Sequence, residues 1–273
     1  MKNRSKCSII ETHYKKRGNL LNKEDVIKNK NEAIKMMTDY LDNCLAIDDN
    51  SNIKKVNLIS YWQKDYINYI KDENNFNPTN LKTYERGDII KVNLGFNIGS
   101  ELGGLHYCVV IDKKNNRNSP VVTVIPLSSQ KTDKINKNSI MLENDIYNKL
   151  VEKANKLLED SKKEIEDNKN QLLIETKKLT ENNATSDEIY LKTTELNNNI
   201  TEAYKKLELA EKINKEVQKM KYGSIAIINQ IRVISKQRIY DPKTEFDILS
   251  GIKLSNENLN LIDEKIKKMF IKN

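Results

Sequence analysis

Residues 99–111, GSELGGLHYCVVI, carry His106 at the end of a glycine-rich run, and His106 is one of only two histidines in the chain. Five of the eight glycines, Gly87, Gly95, Gly99, Gly103 and Gly104, fall within eighteen residues. A free imidazole has a pKa of about 6.5, so it takes and gives a proton near neutral pH. General acid–base chemistry is therefore the first thing this stretch could do. Taken alone the signal is weak. A long hairpin loop in which Gly supplies positive φ explains it as well, and a lone His beside a strand is more often structural than catalytic. The spacing is neither GxGxxG opening a helix nor GxxxxGK followed by Ser or Thr, which disfavours nucleotide binding.

Other chemistries are poorly provided for. Cys7, Cys44 and Cys108 are an odd number with no CxxC spacing, and with two His they argue against a zinc site or a disulfide framework. No metal or cofactor is called for. A reducing setting suits such cysteine usage. No apolar run approaches the roughly 18–20 residues of a membrane span, and the N-terminus lacks the apolar core of a signal peptide, so a cytoplasmic protein with no membrane role is expected. The formal charge of +8 permits an anionic partner such as nucleic acid. The excess is not evenly spread. Residues 142–220 hold 14 Lys and no Arg against 17 acidic residues, a net of −3, leaving 33 basic and 22 acidic residues elsewhere, a net of +11.

The elements that must position these residues fall into three textures. Residues 1–83 read as helical, with Val26, Ile34, Met37, Tyr40, Leu41 and Leu45 at three- and four-residue spacings and Leu58, Trp62, Tyr66 and Ile70 four apart. Pro78 punctuates the end of that region. From Tyr84 the chain turns to short β-branched runs, RGDIIKVNLG, HYCVVI and VVTVIPL, which suggest an antiparallel β unit. Residues 142–220 contain no Gly and no Pro. There Ile189, Thr193, Leu196, Ile200, Ala203, Leu207, Ala210, Asn214 and Val217 alternate steps of four and three, the seam of a coiled coil. Ile146, Leu150, Ala154, Leu157, Ser161, Ile165, Leu172 and Leu179 form a looser companion stripe. The spacing predicts an antiparallel helical hairpin turning at TENNATSDE, with Ser186 as a cap for its second arm. YGSIAIINQIRVISKQRI then returns to strand texture, and Ser255 or Asn256 opens a closing amphipathic helix. The organisation expected is an N-terminal helical region, 1–83, a β module, 84–141 and 221–273, and a hairpin, 142–220, inserted into it. The fold class is α+β.

Four segments in order, RGDIIKVNLG, GSELGGLHYCVVI, SPVVTVIPLSS and INQIRVISKQR, resemble the MazF/PemK/Kid family of toxin endoribonucleases. That family's pattern opens RGDI-x-x-V-x-L, continues GSEQGG-x-RP-x-x-VI, ends an apolar strand in L-T/S-S, and closes on QIR. The resemblance covers about 110 residues; residues 1–83 and the hairpin have no counterpart in compact members. It implies an SH3-like β-barrel, a homodimer, an antitoxin protein as partner and single-stranded RNA as substrate. It implies cleavage without a metal, the 2′-hydroxyl attacking the adjacent phosphorus to leave a 2′,3′-cyclic phosphate and a 5′-hydroxyl.

Where the family has Arg after the paired glycines, and Thr or Ser at the end of the following strand, this chain has His106 and Ser128. Both are expected to be catalytic. Ser128 can donate to a phosphate oxygen. His106 gives up a fixed cation for a group that can shuttle a proton. Tyr107 stands where the family has Pro and could stack on a base or pack against a partner. Asn229 stands where some members place an acidic base. Arg232, Lys236 and Arg238, with Ser129 and Lys131, could line an RNA groove through phosphate contacts, or be ordinary surface. Glu101 reads as an acceptor that fixes the loop, and Gly103 and Gly104 as residues that let it approach substrate closely. The alternative is a non-nuclease toxin or interaction protein of the same fold, either gyrase-binding or a catalytically impaired module that binds RNA or DNA.

Overall fold

A computed structural model describes residues 22–130, 136–181, 185–220 and 223–272. The chain forms two compact units, one ending at Asp65 and the other beginning at Tyr66. The first contains α1 (Lys23–Ala46) and the first part of α2 (Asn50–Asp72). Asn22 caps α1 by accepting from the Glu24 amide at 3.1 Å, which satisfies one of the orphan donors of the first turn. Cys44, Val56 and Ile59 are its buried apolar residues.

The second unit combines helices with an antiparallel sheet. Its strands are β1 (Ile89–Asn93), β2 (Leu105–Val110), β3 (Val121–Ser129), β4 (Ser139–Met141), β5 (Ser224–Ile227), β6 (Arg232–Ser235) and β7 (Ile239–Asp241). They run in the order β4-β5-β3-β2-β1-β7, and β6 also pairs with β3. The nine residues of β3 serve both neighbours on one edge: Val121–Val124 pair with β6 and Leu127–Ser129 with β5. The strand texture expected after the hairpin is thus broken by 3-10 turns at Ile228–Gln230 and Lys236–Arg238.

The closed barrel expected from the family pattern is not what the pairing shows. Among the described residues the ladder is open, because β6 and β7, on opposite sides of the β1-β2-β3 core, are joined by the Lys236–Arg238 turn and not by strand pairing. That three-residue link nevertheless forces the sheet to curl around its inner face. Ile90, Val92, Cys108, Val110, Val122, Val124 and Ile234 fill that face and are all buried. Alternation sends Ile89, Val109, Ile125 and Leu127 to the opposite face.

The outer face is covered by helices. α3 (Asp145–Glu181) and α4 (Ser186–Val217) are the expected long pair, and α5 (Asn256–Phe270) follows Ser255, which caps it as anticipated. At about 1.5 Å per residue α3 extends roughly 55 Å. Ile146, Leu150 and Ala154 of α3 and Ile213 and Val217 of α4 share one core with the outer face. Farther out the two helices pack on each other through Ser161, Ile165, Leu196 and Ala203, with Lys206 paired to Glu164 at 2.8 Å. Two details differ from the sequence reading. The cap of α4 is Thr185, in a reciprocal box with Glu188, not Ser186. Near the root, Ile213 is fully buried and Asn214 only half-buried, because α4 there must face the sheet as well as α3. Among the described residues no helix is long and apolar enough to cross a membrane.

Candidate active site on the inner face

The strand period decides which sequence-nominated residues can meet. In β2, Cys108 and Val110 point into the inner core, so His106 lies on that same face. It is half-buried and pairs in register with Val92 of β1. The ladder between β2 and β3 runs Val110↔Val124, Val109↔Ile125, Cys108↔Pro126. Carried two residues on, this register sets His106 across from Ser128, and opposed residues share a face. Arg232 of β6 is paired with Val124 and so belongs to the same inner face. Three strands thus deliver His106, Ser128 and Arg232 to one side of the sheet.

The His106 ring takes over where the ladder stops. Its Nδ1 lies 3.0 Å from the Leu127 carbonyl oxygen. A carbonyl can only accept, so Nδ1 carries the proton and Nε2 of the neutral ring is left as an acceptor. That is the tautomer a general base requires.

Arg232 is held by neutral oxygens. Its Nε donates to the Gln230 carbonyl at 3.3 Å, Nη2 to Gln230 Oε1 at 3.0 Å and Nη1 to the Leu102 carbonyl at 3.3 Å. Its charge and that of Arg238 both reach Cys108, whose thiol burial nevertheless pushes up to about 12. Arg238 is half-buried and donates through Nε to the Asn93 carbonyl at 2.8 Å.

Gln230, which sequence reasoning left out of the site, fastens the glycine loop to this face. Its Oε1 accepts from the Leu102 amide at 2.6 Å and its Nε2 donates to the Ser100 carbonyl at 2.9 Å. Asn97 adds bonds to the Leu94 and Leu102 carbonyls. The loop therefore closes on itself. A Cβ on Gly103 would stand 2.6 Å from the Gly95 carbonyl oxygen, and Gly104 has φ +83°. These glycines are required by the packing of the loop on its own backbone, where close approach to substrate had been expected. Glu101, expected to fix the loop, has an exposed side chain there, and Gln230 and Asn97 do that work.

Other expected groove residues lie elsewhere. Lys236 is fully buried: its ammonium donates to the Asn116 carbonyl at 3.1 Å and sits 5.7 Å from the centre of the Tyr84 ring. It is a structural residue of the inner core and not a groove cation. Tyr107 and Ser129 are on the outer face, separated from His106 by the sheet. Tyr107 donates its hydroxyl to Glu216 of α4 at 2.6 Å. Asn229 is exposed in the 3-10 turn before β6. Lys131 lies outside the described residues.

A family description fits this segment: residues 85–176 match the model of the PemK-like, MazF-like toxins of type II toxin–antitoxin systems. The resemblance read from the four segments is thereby borne out over β1 to β4 and most of α3. The match ends before β5–β7, the part that supplies Gln230 and Arg232. No curated protein matches the chain.

Proposed function

We propose that the protein is the toxin of a toxin–antitoxin pair and cleaves single-stranded RNA, with His106 as general base. The observation that carries this reading is the His106 ring itself. Within a segment that matches a toxin family, its Nδ1 is tied to the Leu127 carbonyl and its Nε2 is left as an acceptor, across the register from Ser128. In this reading Nε2 takes the proton of a ribose 2′-hydroxyl and the 2′-oxygen attacks the neighbouring phosphorus. The Ser128 hydroxyl donates to a phosphoryl oxygen, and Arg232 places positive charge where the phosphorane gathers negative charge. The bond to the 5′-oxygen breaks, water protonates that oxygen, and the imidazolium returns its proton to the hydroxide so formed. The products are a 2′,3′-cyclic phosphate and a 5′-hydroxyl. Side chains supply every proton transfer and the charge stabilisation, so the scheme calls on no metal.

The test is incubation of the purified chain with mixed-sequence single-stranded RNA in EDTA, with both product ends mapped. Cyclic phosphate and 5′-hydroxyl ends, lost in H106A, are expected. Intact RNA from a folded protein would reject the nuclease reading and favour a toxin that acts by binding alone.

A further inference from the structure

The outer face holds a second feature beside Ser128. Between the root of α4 and the ends of β1–β3 lies a cavity of about 420 Å³. Leu127 and Met220 give it an apolar floor, and Lys219 and Ser129 stand at its edge. Glu216 forms one wall. Its carboxylate accepts from Lys91 at 2.5 Å and from the Tyr107 hydroxyl at 2.6 Å, and both bonds fall on Oε1. Oε2 has no hydrogen-bond partner among the described residues, and it is not sealed from the cavity, since the one buried unsatisfied side-chain oxygen or nitrogen among them is Asn115 Oδ1. Burial works to raise the Glu216 pKa, but the bonds from Lys91 and Tyr107 outweigh it and hold the group below the usual carboxylate range. Glu216 is therefore an anion at neutral pH, clamped by one oxygen and presenting the other.

An apolar floor with a fixed acceptor beside a mobile cation suits the Watson–Crick edge of an unpaired base. The four bases differ there in one decisive way. Guanine and uracil carry a ring N–H beside a carbonyl. Adenine and cytosine carry a bare ring nitrogen beside an amino group. A carboxylate accepts from the first pair and repels the lone pair of the second, while the Lys219 ammonium can donate to the neighbouring carbonyl. We propose that this cavity holds the base next to the cleaved phosphate, and that Glu216 makes it select guanine or uracil over adenine or cytosine. The proposal rests on the nuclease reading above, with Ser128 linking the two sites because it stands opposite His106 and also lines the cavity. The root of the hairpin thereby becomes part of the substrate site.

Glu216→Gln tests it with little disturbance. The amide oxygen can keep the bonds from Lys91 and Tyr107, and the amide nitrogen then turns a donor to the cavity where an acceptor stood. Wild type is expected to cut a randomised RNA pool with guanine or uracil favoured over adenine or cytosine by tenfold or more at one position fixed relative to the cut. E216Q should abolish or invert that ratio, and Lys219→Met should lower it at the same position. An unchanged preference in a folded E216Q, judged by its melting temperature, overturns the proposal. Fluorescence anisotropy with labelled oligo-uridylate and oligo-adenylate separates the two readings. If no RNA is cut but oligo-uridylate binds more tightly and E216Q reverses the order, the nuclease reading fails and the base pocket stands. Equal binding of both oligomers to wild type removes the pocket.

Discussion

Replacing His106 with Asn separates its two nitrogens. The Asn amide nitrogen sits close to the place of Nδ1 and can donate to the Leu127 carbonyl, as the ring does at 3.0 Å. Nothing remains at the position of Nε2. The bond to a neutral carbonyl contributes about 1 kcal/mol net, and H106N keeps it, so the stability loss should stay under about 1 kcal/mol. A positioned general base contributes roughly 10²–10⁴ in rate, or about 3–5.5 kcal/mol of barrier at 1.36 kcal/mol per decade. H106N should therefore unfold in urea near the wild-type midpoint and cut RNA at least a hundredfold more slowly under single-turnover conditions. His106→Arg restores the cation the family uses at this place; it should recover part of the rate and lose the dependence on pH near neutrality that an imidazole confers. If folded H106N cuts at more than a tenth of the wild-type rate, the imidazole is not the base and the tautomer argument fails with it.

Three further outcomes follow from the packing. Gly103→Ala places a methyl group 2.6 Å from the Gly95 carbonyl oxygen and 3.3 Å from the Asn97 nitrogen, both backbone atoms, and should cost about 1–3 kcal/mol in urea unfolding; a neutral result would mean the loop is not packed on itself. Cys108 is free and fully buried, its thiol pushed up to about 12 mainly by burial, so native protein should leave it unalkylated by iodoacetamide at pH 8 while denatured protein reacts, as read by peptide mass. Lys153 of α3 donates to the carbonyls of Asp247, Ile248 and Ser250 at 3.2, 2.9 and 2.7 Å, and Lys153→Met should lower stability by about 1–3 kcal/mol. Burial pulls the Lys153 pKa down to about 8, below an unfolded value of roughly 10.4. Between those values the unfolded chain binds more protons, so wild-type stability should rise with pH across that window, and K153M should lack the rise.

The sequence shows most of the elements because each rests on local chemistry. Periodicity locates the long helices, Ser255 opens α5, and β-branched runs locate β1–β3. It misleads where a residue's role depends on a distant segment. Lys236 reads as a surface cation after a strand, yet its stem crosses the inner core to Asn116 and Tyr84, more than a hundred residues earlier. Asn214 fits the heptad, yet Ile213 is the one buried, because the sheet competes with α3 for the same turn of α4. Glu216 gives no signal at all: on a helix with 17 acidic residues in its segment it looks like any solvated charge, and only the fold brings it to Tyr107.

His106 and Tyr107 show why the site could be only half legible. Both stand where the family pattern departs from expectation, and proximity in sequence invites a single role for the two. A strand forbids it. Successive side chains point to opposite faces, so a one-residue step carries the chain from the inner face, with Ser128 and Arg232, to the outer face, with Lys91 and Glu216. A substrate that engages both must wrap the exposed end of the β2–β3 pair. The ladder there stops at Cys108↔Pro126, and the imidazole bond to Leu127 replaces strand pairing. The break in the ladder that frees the ring nitrogen is also what leaves Ser128 open to both faces.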